Sequence, residues 1–289
     1  MLRISRTFWG AVIHALISSK LLILPVLLLT VAETFAQGNL LIMPRRVVFE
    51  GPKRSEELNL ANIGKDSATY VISLIQIRMK EDGTFQQITQ PDSGQQFADK
   101  NIRFFPRTVT LAPNESQVVK VQLVRASELK PGELRSHLYF RAIPKNKPLG
   151  SEEPVKDSTI SISIVPIFGI SIPAIVRVGE SNSTIKISDT KLEYLHETIP
   201  NLKFTFNRTG NMSVYGDVSV SHTAPDGKVT EVGQVKGLAV YTPNAFRQCQ
   251  LVLDKTKMVD FKSGKLHLKY TEQGITRGNV IAETDILLH

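Results

Sequence analysis

From about residue 38 onward the chain alternates large apolar and polar residues in short bursts, each ending in a cluster of turn formers. "NLLIMPRRVVFEG", "SEELNLANIG", "ATYVISLIQIRM", "TVTLAPNESQVVKVQLV" and "ELRSHLYFRAIP" follow one another in this way. A period of two sends alternate side chains to opposite faces of a strand, so each burst reads as a half-buried strand and the chain as all-β. No segment offers a sustained helical stripe with caps. About seven strands are predicted by residue 173, the count of one immunoglobulin-like sandwich. "TIKISD", "NLKFTFNR", "SVYGDVSVSH", "QCQLVLD", "KLHLKYT" and "VIAETDILL" then predict a second sandwich. The expected division is 37–176 and 177–289, two domains of ordinary size.

Residues 1–36 are set apart. Arg3, Arg6 and Lys20 precede the apolar run "LLILPVLLLTVA", and Thr34 and Ala36 stand where a cleavage site needs small residues. This reads as a secretory signal peptide cut after Ala36. The run is shorter than the roughly 20 residues of a spanning helix, and Pro25 interrupts it, so no stable membrane insertion is expected. Removing 1–36 takes away three basic residues and one acidic one, which leaves +6 of the formal +8. The remaining Lys and Arg form no run of the kind that tracks nucleic acid, and acidic or carboxylate-ended partners suit such a surface better.

Catalytic patterns are missing from the sequence. His137, His196, His222, His267 and His289 fall in no metal-ligand spacing, and no metal or other cofactor is expected. Cys249 is the only cysteine, so no intrachain disulfide can form, and on a strand with no histidine nearby it reads as a small buried hydrophobe. There is no phosphate-cradling glycine loop and no nucleophile elbow. An enzyme is not expected; a binding protein is.

One strand stands out. "STISISIVPIFGISIP", residues 158–173, contains no charge and follows the polar tether "KNKPLGSEEPVKD". An apolar strand left unblunted on a pliable loop recruits other chains. Ile160, Ile162 and Ile164 form its apolar face, with Ser161 and Ser163 opposite, and Pro166 predicts a bulge or an edge position.

Four stretches, in this order, resemble the PapD-like periplasmic chaperones of chaperone–usher pili. They are "MPRRVVFEG", "ELNLANIGKDSATYVISL", "FFPRTVTLAPNESQVVKVQL" and "GELRSHLYFRAIP". The resemblance implies a boomerang of two immunoglobulin-like domains that works in the periplasm without ATP. Its partners would be pilus or fimbrial subunits, stabilised by donor-strand complementation, and an outer-membrane usher that receives them. Self-association through the lent strand is also open to such a protein. Strand addition of this kind is an established recognition mode, and 145–173 has the composition for it.

The resemblance further implies that Arg46 anchors a subunit's terminal carboxylate, with Arg45 as the alternative because strand register can slip by one. It makes Ile160, Ile162 and Ile164 the donor face. It assigns interdomain contacts to Glu133 and Asp260, with Arg177 in place of an arginine that is here Ile172. The family's second cation, a lysine, falls on Phe168 in this chain. The reading from another class is a structural or adhesive two-domain sandwich of the cell surface or pilus.

Overall fold

A computed structural model describes residues 39–144, 167–273 and 278–288. The first lobe holds β1 (Leu40–Met43), β2 (Val47–Phe49), β3 (Ser55–Asn62), β4 (Ala68–Met79), β5 (Phe85–Ile88), β6 (Ile102–Phe105), β7 (Thr108–Leu111), β8 (Ser116–Leu123), β9 (Gly132–Ala142) and β10 (Gly169–Val178). One sheet has the order β1-β3-β8-β6. The facing sheet has the order β2-β10-β9-β4-β5, with β7 also on β4. Leu58, Leu60, Val119, Val121, Leu138 and Phe140 interdigitate between them and are fully buried or nearly so.

Ten strands stand where about seven were expected, and proline explains most of the difference. Pro44 splits "LLIMPRRVVF" into β1 and β2, which lie in opposite sheets. Pro106 splits "IRFFPRTVTL" into β6 and β7 in the same manner. Proline has no N–H to give to a ladder, so each strand leaves one sheet at the proline and joins the other. The first switch has a consequence for chemistry. It carries Arg45 and Arg46 across the gap between the two sheets.

The second lobe holds β11 (Thr184–Leu195), β12 (Ile199–Thr209), β13 (Val214–Thr223), β14 (Val229–Val240), β15 (Phe246–Val252), β16 (Lys265–Glu272) and β17 (Val280–Leu287). Its sheets are β11-β12-β15 and β14-β13-β16-β17, another sandwich. Phe206 and Tyr270 stack at 4.4 Å in its core, and the Tyr270 hydroxyl donates to the Leu238 carbonyl at 2.7 Å. Cys249 packs half-buried against this core, and burial pushes its thiol up to about 11. The thiol is therefore protonated at neutral pH.

The lobes meet across β9. Its even residues Leu134, Leu138 and Phe140 face the first core. Its odd residues Glu133, Arg135 and His137 face the other way and are equally buried, because the second lobe covers them. A separate apolar cluster of Met79, Ile175, Ala239 and Tyr241 seals the junction.

Candidate functional site

Two polar clusters lie between the lobes. At the first, the Glu133 carboxylate has no solvent exposure and accepts from four donors. Arg177 Nε reaches it at 3.3 Å and Ser213 N at 2.9 Å. The Ser213 hydroxyl and, at 3.4 Å, the Thr242 hydroxyl complete the set. Arg177 also donates to the Ser213 carbonyl at 2.8 Å and lies 3.7 Å from Glu50. Both ions are thus desolvated but well bonded, which is the condition under which a buried pair holds a unique geometry.

Asp260 is no part of this cluster. Its carboxylate accepts from Lys262 N and from the Ser263 hydroxyl in the turn before β16. These bonds hold the carboxyl below its ordinary pKa, with a turn amide as the largest cause. The residue caps a local turn, so the expected interdomain role is corrected. Ile172, where the family's arginine is missing, is buried in the first core.

The second cluster is a pocket of about 230 Å³. Both lobes line it: Arg45, Arg46, Phe85, His137 and Ser171 from the first, Tyr215, Tyr241 and Arg247 from the second. Arg46 lies over the Tyr215 ring at 3.9 Å. Just beyond it Arg135 lies over Tyr241 at 4.0 Å and donates to the Thr242 carbonyl at 3.2 Å. Among the described residues, no acidic one lines the pocket.

Three polar atoms of its lining residues lack partners. Among the described residues, Arg46 Nε, Arg247 Nε and His137 Nδ1 are buried and have no hydrogen-bond partner. Native proteins leave few such atoms, since each costs on the order of 1–3 kcal/mol. Three around one pocket, from both lobes, mark a place for an acceptor. Burial pulls the Arg46 guanidinium below its ordinary pKa, yet an arginine stays charged in such a site. Burial, helped by Arg135, holds His137 down at about 3. It is therefore neutral at pH 7, and the pocket's charge comes from its arginines.

A groove runs to this pocket. β10 pairs with β9 along its whole length, but β2 covers its other edge only over Ala174–Val176. From Gly169 to Pro173 that edge is unpaired among the described residues. β1 faces it across the seam, in the other sheet and paired only with β3. Between them lies a cavity of about 310 Å³ lined by Leu40, Leu41, Ile42, Ile170 and Ile172. Arg45 and Ser171 line both this groove and the cationic pocket. Apolar residues stand exposed beside it, among them Met43, Ile167 and Phe168.

No family model matches the chain, and no curated protein does either. Solved structures do resemble it. The chain is similar to a chain of the CsuC–CsuE chaperone–tip adhesion subunit pre-assembly complex of Acinetobacter baumannii Csu pili. The two share 12% identity over 86% of this chain and 98% of that one, with a TM-score of 0.44. It is similar to the E. coli chaperone DraB at 15% identity over 86% and 96% of the two chains, with a TM-score of 0.41. A chain of the complex between Salmonella enterica SafA pilin and the SafB chaperone shares 10% identity over 87% and 97%, with a TM-score of 0.40.

Arg46 and Arg45 sit side by side at the pocket, Arg46 half-buried and Arg45 exposed. Phe168 lies just before β10, 45% exposed. Ile160, Ile162 and Ile164 lie outside the described residues. Tyr215, Tyr241 and Arg247 escaped the sequence reading, because a pocket wall contributed by a second lobe has no local signature. Among the described residues no His, Cys, Asp and Glu group could hold a metal ion, and no helix is long and apolar enough to cross a membrane.

Proposed function

We propose that this chain is an ATP-independent periplasmic chaperone for secreted pilus or fimbrial subunits, delivered to the periplasm by residues 1–36. The observation that carries this reading is the apolar seam between β1 and β10, which ends in a pocket that the described residues line with arginines and no acid. An extended apolar segment ending in a carboxylate matches both parts. The unpaired edges offer backbone partners, the groove takes alternate side chains, and Arg46 receives the terminal charge with a planar fork of donors. The four ordered motifs support the same reading.

In this reading Ile160, Ile162 and Ile164 form the lent face, and the loaded subunit passes to an outer-membrane usher. The test is co-expression with a secreted β-rich subunit encoded beside it. Accumulation of that subunit only when the chain is present supports the proposal, and equal accumulation without it overturns it. The donor face has its own check. Ile162→Asp forces an unpaired carboxylate into the client groove, so capture is lost while the thermal midpoint holds. A collapsed midpoint would return this face to the home core.

A further inference from the structure

We infer that the anion pocket is completed from the second lobe, with Arg247 as a second donor to the same carboxylate that Arg46 receives. This rests on the reading of the pocket as a carboxylate anchor and adds the residue that finishes it.

Arg247 reaches the pocket from β15, far from Arg46 in sequence, and both residues line it. Its Nη1 donates to the Ala239 carbonyl at 2.6 Å, which holds the guanidinium in place. Its Nε is buried with no partner, as is that of Arg46. Gly83, in the β4–β5 turn, makes room for it. A Cβ there would overlap the guanidinium, and the residue has a φ of +81°, where glycine is favoured. The same turn is tied to the second lobe, since the Glu81 carbonyl accepts from Gln248 N at 2.7 Å. A guanidinium braced by one bond and left with a free buried donor is preorganised for a ligand rather than for folding. Phe168 brings no charge, and Arg247 supplies what that position lacks.

The probe is N-acetylglycine, with neutral N-acetylglycinamide as control, titrated into the mature chain. The readout is the arginine Nε–Hε NMR resonances, assigned through Arg46→Lys and Arg247→Lys. Both resonances are expected to shift with the acid and neither with the amide. Arg247→Gln should weaken acid binding about tenfold, the loss of one charged hydrogen bond. If that variant misfolds, Arg247→Lys serves, keeping the charge but losing the Nε–H, with a several-fold loss expected. A shift at Arg46 with Arg247 silent overturns this inference and leaves the anchor standing. Silence at both overturns the inference and the anchor together.

Discussion

The two buried polar clusters between the lobes use the same residue types and differ in one respect. Around Glu133 every charge has partners: one carboxylate, one arginine and hydroxyl and amide donors from the other lobe. Around Arg46 the described lining residues bring arginines and no carboxylate, and the Nε atoms of Arg46 and Arg247 and the Nδ1 of His137 have no partner among them. A satisfied cluster fixes geometry. An unsatisfied one that lines a pocket is a candidate site, because a desolvated donor without a partner is costly and a ligand can supply the partner. The corner and the pocket are joined through β9, so the cluster that sets the lobe orientation also sets the spacing of the pocket walls.

The largest effect should come from breaking the corner. Glu133→Ala leaves Arg177 and three donors buried without their acceptor, and breaking one side of such a pair costs about 3–5 kcal/mol. Urea unfolding should show that loss. Wild-type stability in the variant would mean that the corner holds nothing and that the comparison has no basis.

Next comes the pocket, with the opposite pattern. Arg46→Ala should weaken client binding by about 2–5 kcal/mol, while stability holds or rises. The side chain loses its contact with Tyr215, worth about 0.5–2 kcal/mol, but the fold is also relieved of a buried, partnerless donor. An unfolding midpoint that drops as far as for Glu133→Ala would make Arg46 a second structural arginine.

How much of this was legible depended on where the partner lay. The alternation of β3, β4, β8 and β9 is local and marks strands directly. The Asp260 turn is local too, since an aspartate two residues before a donating amide is ordinary turn chemistry, and the resemblance drew the residue to the lobe junction instead. The odd face of β9 was not legible. Glu133, Arg135 and His137 alternate with Leu134 and Leu138 as a solvent-facing strand edge would, and only the second lobe makes them interior. Pocket walls from β13 to β15 were invisible for the same reason: contacts between lobes leave no periodicity in sequence.

A smaller effect belongs to His137, and its sign follows from its depressed pKa. Unfolded, the imidazole titrates near its ordinary value of about 6.5; folded, burial holds it at about 3. The native state thus binds fewer protons in that window. Its contribution is full above pH 6.5 and fades as pH falls toward 3, at up to about 1.4 kcal/mol per pH unit. His137→Phe should flatten that part of the acid limb in urea titrations between pH 7 and 4. A carboxylate in the pocket favours the imidazolium, so saturating N-acetylglycine should flatten it too. An acid limb unchanged by the substitution would assign the loss to other groups.

The smallest effect is expected at Arg45, and it decides between neighbours. Arg45 is exposed where groove and pocket meet, so its charge is screened by water and salt. A charge so placed attracts an approaching carboxylate without being desolvated by it, and acts on the rate of encounter rather than on the lifetime of the complex. Arg45→Gln should therefore slow client association by less than about tenfold at low salt. The difference from wild type should vanish as ionic strength rises and the Debye length falls to about 3 Å at 1 M. Dissociation should stay as it was. Arg46→Gln should show the reverse, with faster dissociation and weak salt dependence. Stopped-flow association and dissociation at two salt concentrations separate the two. A salt-insensitive rise in dissociation for Arg45→Gln would move the anchor one residue along the chain, and Arg46 would then belong with Glu133 among the residues that hold the lobes.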